Sequence, residues 1–183
     1  VLHPTLWRTC RVLANPVRLR VLQAVVAAPG SCVEEIRQAC RIPQSSASHH
    51  LRQLQARGLL TARVNGRRVE YLPRTDPAVG HADLVFAAVR AALARNEPPA
   101  RIGRTLHALT QARRIAIVRA LREGPATTDE LVARCRISYP AVYRHLHKLL
   151  SRTAILQDET GRYLLCEKMP PLCHDLVRIA CAG

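Results

Sequence analysis

Between Gln44 and Arg52 the chain spaces hydrogen-bonding side chains so that they share the solvent side of one helix. Gln44, Ser45, Ser46, Ser48, His49 and Arg52 interleave with Ala47, Leu51 and Leu54, whose i, i+4, i+7 spacing marks a face to be buried. Gln can pair bidentately with adenine, Arg with guanine, and Ser with a base edge or a phosphate, so this set of types suits the edges of bases in a major groove. Those near the helix N-terminus are best placed for bases, because helix-inserting modules point that end into the groove. Farther on, Arg63, Arg67 and Arg68 flank Asn65-Gly66. These suit phosphate or a minor groove, which fixes position without reading sequence. His50 lies beside the apolar face, where a structural hydrogen bond is expected of it.

These residues need a helix, a turn and a hairpin to hold them. Ser31 and Glu34 have capping-box spacing, and Ile36 with Ala39 predicts the buried stripe of a first short helix. Arg41-Ile42-Pro43 breaks that helix, because proline disfavours helical geometry at Ile42. Gly58 follows the last periodic residue as a C-terminal cap. Leu59–Val64 and Arg67–Leu72 then read as strands joined by an Asn65-Gly66 turn, a strong hairpin signal. Helix, turn, helix and basic hairpin form a winged helix-turn-helix. Upstream, a helix is expected to start within Val1–Cys10, and Leu13, Val17, Val21 and Val25 carry a second stripe after Asn15-Pro16, a cap followed by proline at the first position. Downstream, a helix through Leu84, Ala88, Ala91 and Arg95 is expected, and residues 77–96 could span about 30 Å. Asn96–Pro99 reads as a linker.

Beyond that linker the pattern restarts. Arg104-Thr105 repeats Arg8-Thr9, and Leu109–Ile115 repeats Leu13–Leu19, 96 residues on. After a deletion near Gly124-Pro125 the offset becomes 95: Thr127 and Glu130 repeat the capping box, Cys135-Arg136-Ile137 repeats Cys40-Arg41-Ile42, and His145-Leu146 repeats His50-Leu51. Gly161 is expected to fall on Gly66, and Asp175-Leu176-Val177 echoes Asp83-Leu84-Val85. The reading is a mainly α chain with small β hairpins, two tandem winged helix-turn-helix domains over residues 1–97 and 100–183. Leu131, Ile137, Val142, Leu146 and Leu149 keep the second core. Tyr139, Arg144, His147 and Lys148 are its DNA-facing candidates, and Arg162 is the one base in a wing that also carries Asp158 and Glu159.

The stretch from Ile42 to Pro73 resembles the ArsR-type winged-helix repressors: Ser48, His50 and Leu51 match their Ser-x-His-Leu core, Leu54 precedes Gly58-Leu59, and a basic wing ends in Tyr71. Leu13–Leu19 is similar to that family's first helix start. The resemblance, over roughly residues 8 to 95, implies a repressor of double-stranded DNA. Family dimers form through the first and last helices, so a tandem chain could make an intrachain pseudo-dimer or a homodimer through the same flanking helices. Family metal sensors carry a Cys-x-Cys pattern on the helix before the turn. Here that segment reads Glu34–Cys40 without it, and no helical Asp-x-His motif ends the first domain.

A formal charge of +15 across 183 residues points to a polyanionic partner. Aromatic residues at 3% are too few for the stacking platforms that bind single strands. No run is long enough to span a membrane and no signal peptide is expected. Seven irregularly spaced cysteines suggest reduced thiols in a cytoplasm. Cys166, Cys173, His174 and Cys181 are the weak metal candidates, at spacings that match no compact ligand pair, so no cofactor is expected. No phosphate-binding glycine loop, nucleophile elbow or carboxylate pair supports an enzyme. Two other classes stay open, a tandem winged-helix scaffold for protein assembly and a thiol- or metal-responsive sensor.

Overall fold

The computed structural model describes residues 5–182, so the start expected at Val1–Pro4 and the terminal Gly183 lie outside the described residues. The first half runs α1 (Leu6–Leu13), α2 (Pro16–Ala27), α3 (Val33–Cys40), α4 (Gln44–Gln55), β1 (Thr61–Asn65), β2 (Arg68–Leu72) and α5 (Ala82–Ala94). The second repeats it as α6 (Pro99–Leu106), a 3-10 turn (His107–Leu109), α7 (Ala112–Arg122), α8 (Thr128–Cys135), α9 (Tyr139–Leu150), β3 (Ile155–Gln157), β4 (Tyr163–Leu165) and α10 (Pro171–Cys181). The fold is mainly helical with two antiparallel hairpins, and holds two helix-turn-helix units in tandem.

Local chemistry sets the boundaries. Asn15 Oδ1 accepts from the backbone N–H of Val17 and Arg18, and Pro16 opens α2 where its missing donor costs nothing. The cap of α3 is Cys32, not Ser31: Glu35 accepts from the Cys32 N–H at 2.8 Å, while Ser31 Oγ donates back to Ala28 O. Thr127 and Glu130 make the matching box on α8. The offset of 95 leads from Thr127 to Cys32, and the capping strength of Ser over Cys had pulled the assignment one residue early. With α3 shifted, its buried residues are Ile36 and Cys40, and Ala39 is exposed. Arg41 and Arg136 both take the left-handed conformation at the turn before the next helix (φ 51° and 52°).

Helix α4 ends as expected at Gly58 (φ 63°): Leu59 N–H reaches Leu54 O and Gly58 N–H reaches Gln55 O, the nested pair of a Schellman end. In α9 the same pair ends on Thr153 (φ 55°), with Ala154 N–H to Leu149 O. The first hairpin turns one residue later than expected. Asn65 pairs with Arg68, so Asn65 belongs to β1 and the loop is Gly66-Arg67. Each hairpin gains a short third strand, Ser31 against Tyr71 and Ala126 against Tyr163. Those two tyrosines stand 92 residues apart. Three residues are therefore missing from the second wing, and Gly161 does not occupy the place of Gly66.

Helix α5 is also shorter than expected, about 20 Å at its 13 residues, because residues 73–81 form a loop that crosses Gly58. Its buried face is Val85, Phe86, Val89, Ala92 and Leu93, with Leu84 and Ala91 exposed. The partner of that face is α10 from the other half, whose buried residues include Leu172, Leu176 and Ile179. Likewise α1 packs on α6 and the His107–Leu109 turn, and a Cβ at Gly103 would stand 3.1 Å from Ala14 O. Like elements of the two halves thus meet. The free carbonyls ending α10 accept from α7, Arg119 Nε to Ala180 O and Arg122 Nη1 to Cys181 O.

Candidate nucleic-acid interface

Ala47, Leu51 and Leu54 are fully buried, which aims the opposite side of α4 at solvent. Gln44, Ser48 and Arg52 follow one another at i, i+4, i+8 with Ser45 beside them, and Gln44, Ser45 and Arg52 are exposed. Arg52 Nε lies 3.4 Å from Ser48 O, so its guanidinium is held along this stripe. His49 is exposed at the stripe's margin. Ser46 is half-buried and falls on the far flank, so it does not join the others. His50 Nδ1 is buried without the hydrogen-bond partner expected for it. Burial first, then the positive Arg18 and His49, push its imidazole below the usual range.

The first wing stands out from the body, with Val64 77% exposed near its tip. Two of its three arginines are tied down. Arg63 pairs with Glu70, which also accepts from Asn65 Nδ2. Arg68 Nη2 reaches Glu35 Oε1 at 2.8 Å and Cys32 Sγ at 3.3 Å. Arg67, at the loop, has no intramolecular partner among the described residues. The Cys32 N–H, then Arg68, hold Glu35 below the usual carboxylate range. In the second half Arg162 makes the same kind of tie to Glu130, at 2.8 Å, and to Pro125 O. A wing arginine gripping the capping glutamate of the first helix is a feature that sequence reading missed. Its one signal was the capping box itself.

On α9 the stripe matching Gln44, Ser48 and Arg52 is Tyr139, Tyr143 and His147. Both tyrosines are 52% exposed, and Tyr143 meets His147 edge-on at 5.8 Å. Arg144 is exposed at the margin, and Lys148, at the position matching Gln53, lines one hollow with Tyr143, Arg144, His147 and Ser151. Asp158 is occupied by the wing itself: its Oδ1 accepts from the backbone N–H of Thr160 and Arg162 and from the Thr160 hydroxyl. Glu159 is the acid left facing solvent.

The C-terminal thiols are dispersed. Cys173 is buried and its thiol is pushed up to about 12, by burial first and then by Cys166. Cys166, His174 and Cys181 line a shallow cavity of about 440 Å³ with Arg122 and Met169. Among the described residues no three His, Cys, Asp or Glu are grouped to hold a metal ion. All seven cysteines are free. No described helix is long and apolar enough to cross a membrane.

Two family models match the chain. A helix-turn-helix domain model covers residues 13–63, and the model of the bacterial regulatory protein, arsR family, covers residues 112–151. A search of curated proteins finds no match. Both matches fall on a complete helix-turn-helix, the first ending in the wing and the second closing on α9. The second is the half whose stripe has diverged, yet its core still meets the arsR description. The chain carries two helix-turn-helix domains in tandem, the second matching the arsR family of bacterial regulatory proteins, and such domains support a DNA-binding transcriptional regulator.

Proposed function

We propose that the chain is a sequence-specific repressor of double-stranded DNA whose two domains, 1–97 and 100–183, form an intrachain pseudo-dimer, acting in the cytoplasm where its free thiols stay reduced. One observation carries the reading: α5 packs on α10 and α1 on α6, two pairs of matched elements, with α6 also packed on α2. Pairing of like with like is what a two-fold homodimer does, and here one polypeptide supplies both sides. Repression would follow from occupying the duplex.

In this reading Gln44, Ser45, Ser48, His49 and Arg52 face base edges while Arg67, with Arg63 and Arg68 if they exchange their carboxylates, holds phosphate. Tyr139, Tyr143, Arg144 and His147 serve a second segment by contacts to thymine methyls and phosphate, with Lys148 and Arg162 at most peripheral. The operator is then asymmetric, because no matched position of the two stripes keeps its residue. The test is duplex binding by the whole chain across salt. With about four to six phosphate contacts the log–log slope is expected near −4 to −5. Absence of any duplex binding at ~50 mM salt would leave the scaffold reading in its place.

A further inference from the structure

A cavity of about 280 Å³ opens between α1, the start of α2 and the end of α4, and arginines make up most of its polar wall. Arg8, Arg11, Arg18 and Arg57 line it with Gln53 and Trp7, and no acidic residue does. Arg18 Nε is buried with no hydrogen-bond partner, a costly state for a guanidinium. Arg8 lies over the Trp7 ring, 5.1 Å from its centroid. Burial holds Arg18 and Arg57 below the usual guanidinium range, and Arg8 adds to this at Arg57. All remain charged at neutral pH. Four guanidinium groups thus face one hollow that no acidic side chain lines.

The second half keeps similar residue types at these positions, with Gly103 in place of Trp7. By the repeat offsets, Arg8, Arg11, Arg18, Gln53 and Arg57 become Arg104, His107, Arg114, Lys148 and Arg152. Arg114, Arg152 and Lys148 all act on His107, and Arg114 donates to Thr110 Oγ1. Four positions have kept a basic or imidazole side chain, and Gln53 has become Lys148, in a copy whose DNA-facing stripe changed completely. The DNA face does not explain them. At 3.6 residues per turn Gln53 stands about 140° around α4 from the middle of the Gln44–Ser48–Arg52 stripe, and Arg57 lies past the helix end.

We infer that the arginine-lined cavity beside Trp7 is a binding site for a small, multiply charged phosphate-bearing anion. Guanidinium groups pair with phosphate oxygens two bonds at a time, and the cavity is near the lower end of ligand-pocket sizes. Such a ligand would bring negative charge to a hollow lined by four arginines and no acid.

The one tryptophan of the chain reports on the site directly. Pyrophosphate is titrated into the full-length chain at constant ionic strength, reading Trp7 fluorescence. The expected result is a saturable change, shifted at least about tenfold to weaker binding in Arg18→Gln and in Arg57→Gln, and unshifted in Arg74→Gln. Should Arg18→Gln fail to fold, Arg57→Gln and Arg11→Gln carry the same comparison. Saturating duplex DNA is expected to leave the midpoint unchanged. No saturable change, or one that survives the Arg18→Gln, Arg57→Gln double variant, overturns the proposal. Competition by duplex also overturns it, by assigning these arginines to the DNA path. None of these outcomes depends on whether the chain represses.

Discussion

The two helix-turn-helix units share a scaffold and differ in what they show to solvent. In both, an Arg in the left-handed conformation makes the turn, a capping glutamate is gripped by a wing arginine, and a tyrosine pairs the hairpin to the strand before the first helix. What has changed is the stripe, Gln-Ser-Arg against Tyr-Tyr-His, the wing length, and the residue ending the recognition helix. Burial explains the division. A core position is constrained by its neighbours in any fold of this kind, whereas a solvent-facing stripe is constrained only by a partner.

The largest expected difference concerns the helix ends. A Cβ at Gly58 would lie 2.8 Å from Val79 Cβ, in a left-handed conformation that side chains resist. Gly58→Val should destabilise by about 3 kcal/mol, combining left-handed strain with overpacking. Thr153→Gly should stabilise by about 1 kcal/mol, because threonine already bears that strain. Urea denaturation with opposite signs at these two matched positions is the expected outcome; equal signs would break the equivalence of the ends.

Next come the stripes. Gln44→Ala and Arg52→Ala should each cost about 1–3 kcal/mol of discrimination between operator and unrelated duplex. Tyr143→Ala should cost less than about 1 kcal/mol, since a methyl contact reads less than a bidentate pair. Binding titrations on operator variants mutated in one half at a time would sharpen this, and equal losses from α4 and α9 would remove the asymmetry.

The wings should differ more modestly. Arg67→Ala should weaken binding on every sequence and lower the salt slope by about 1. Glu159→Ala should tighten it slightly, if the second wing approaches phosphate at all. Smallest is a shared response to acid. Glu35 and Glu130 are held below the usual carboxylate range, chiefly by the N–H groups of Cys32 and Thr127. Their stabilisation is present above the unfolded value of about 4.3 and is lost as pH falls through the folded value. Amide exchange should therefore show both wings loosening together in acid.

Much of this was legible from residue types. Periodicity at Ala47, Leu51 and Leu54 located the recognition helix, Gly58 its end, and the repeat of Leu13–Leu19 at Leu109–Ile115 the second domain. The failures were local or long-range. Ser31 outranks Cys32 as a cap in any propensity scale, yet the carboxylate of Glu35 and the guanidinium of Arg68 converge on Cys32. Leu84 fits a helical stripe, but which stripe of α5 is buried depends on α10, some 90 residues away in sequence. The pairing of Arg63 and Arg68 with acids was not visible from spacing, because it arises from hairpin register and from the approach of the wing to α3. The arginines around Trp7 are scattered from residue 8 to residue 57, and only the packing of α1 against α4 assembles them.

The central claim is that one chain supplies both halves of a DNA-reading pair. Light scattering on the complex of the full-length chain with a footprint-defined duplex counts the chains directly. The account predicts one 20.3 kDa chain per duplex, protecting two major-groove segments about 34–36 Å apart. Two chains per duplex, or a single protected segment, would contradict it.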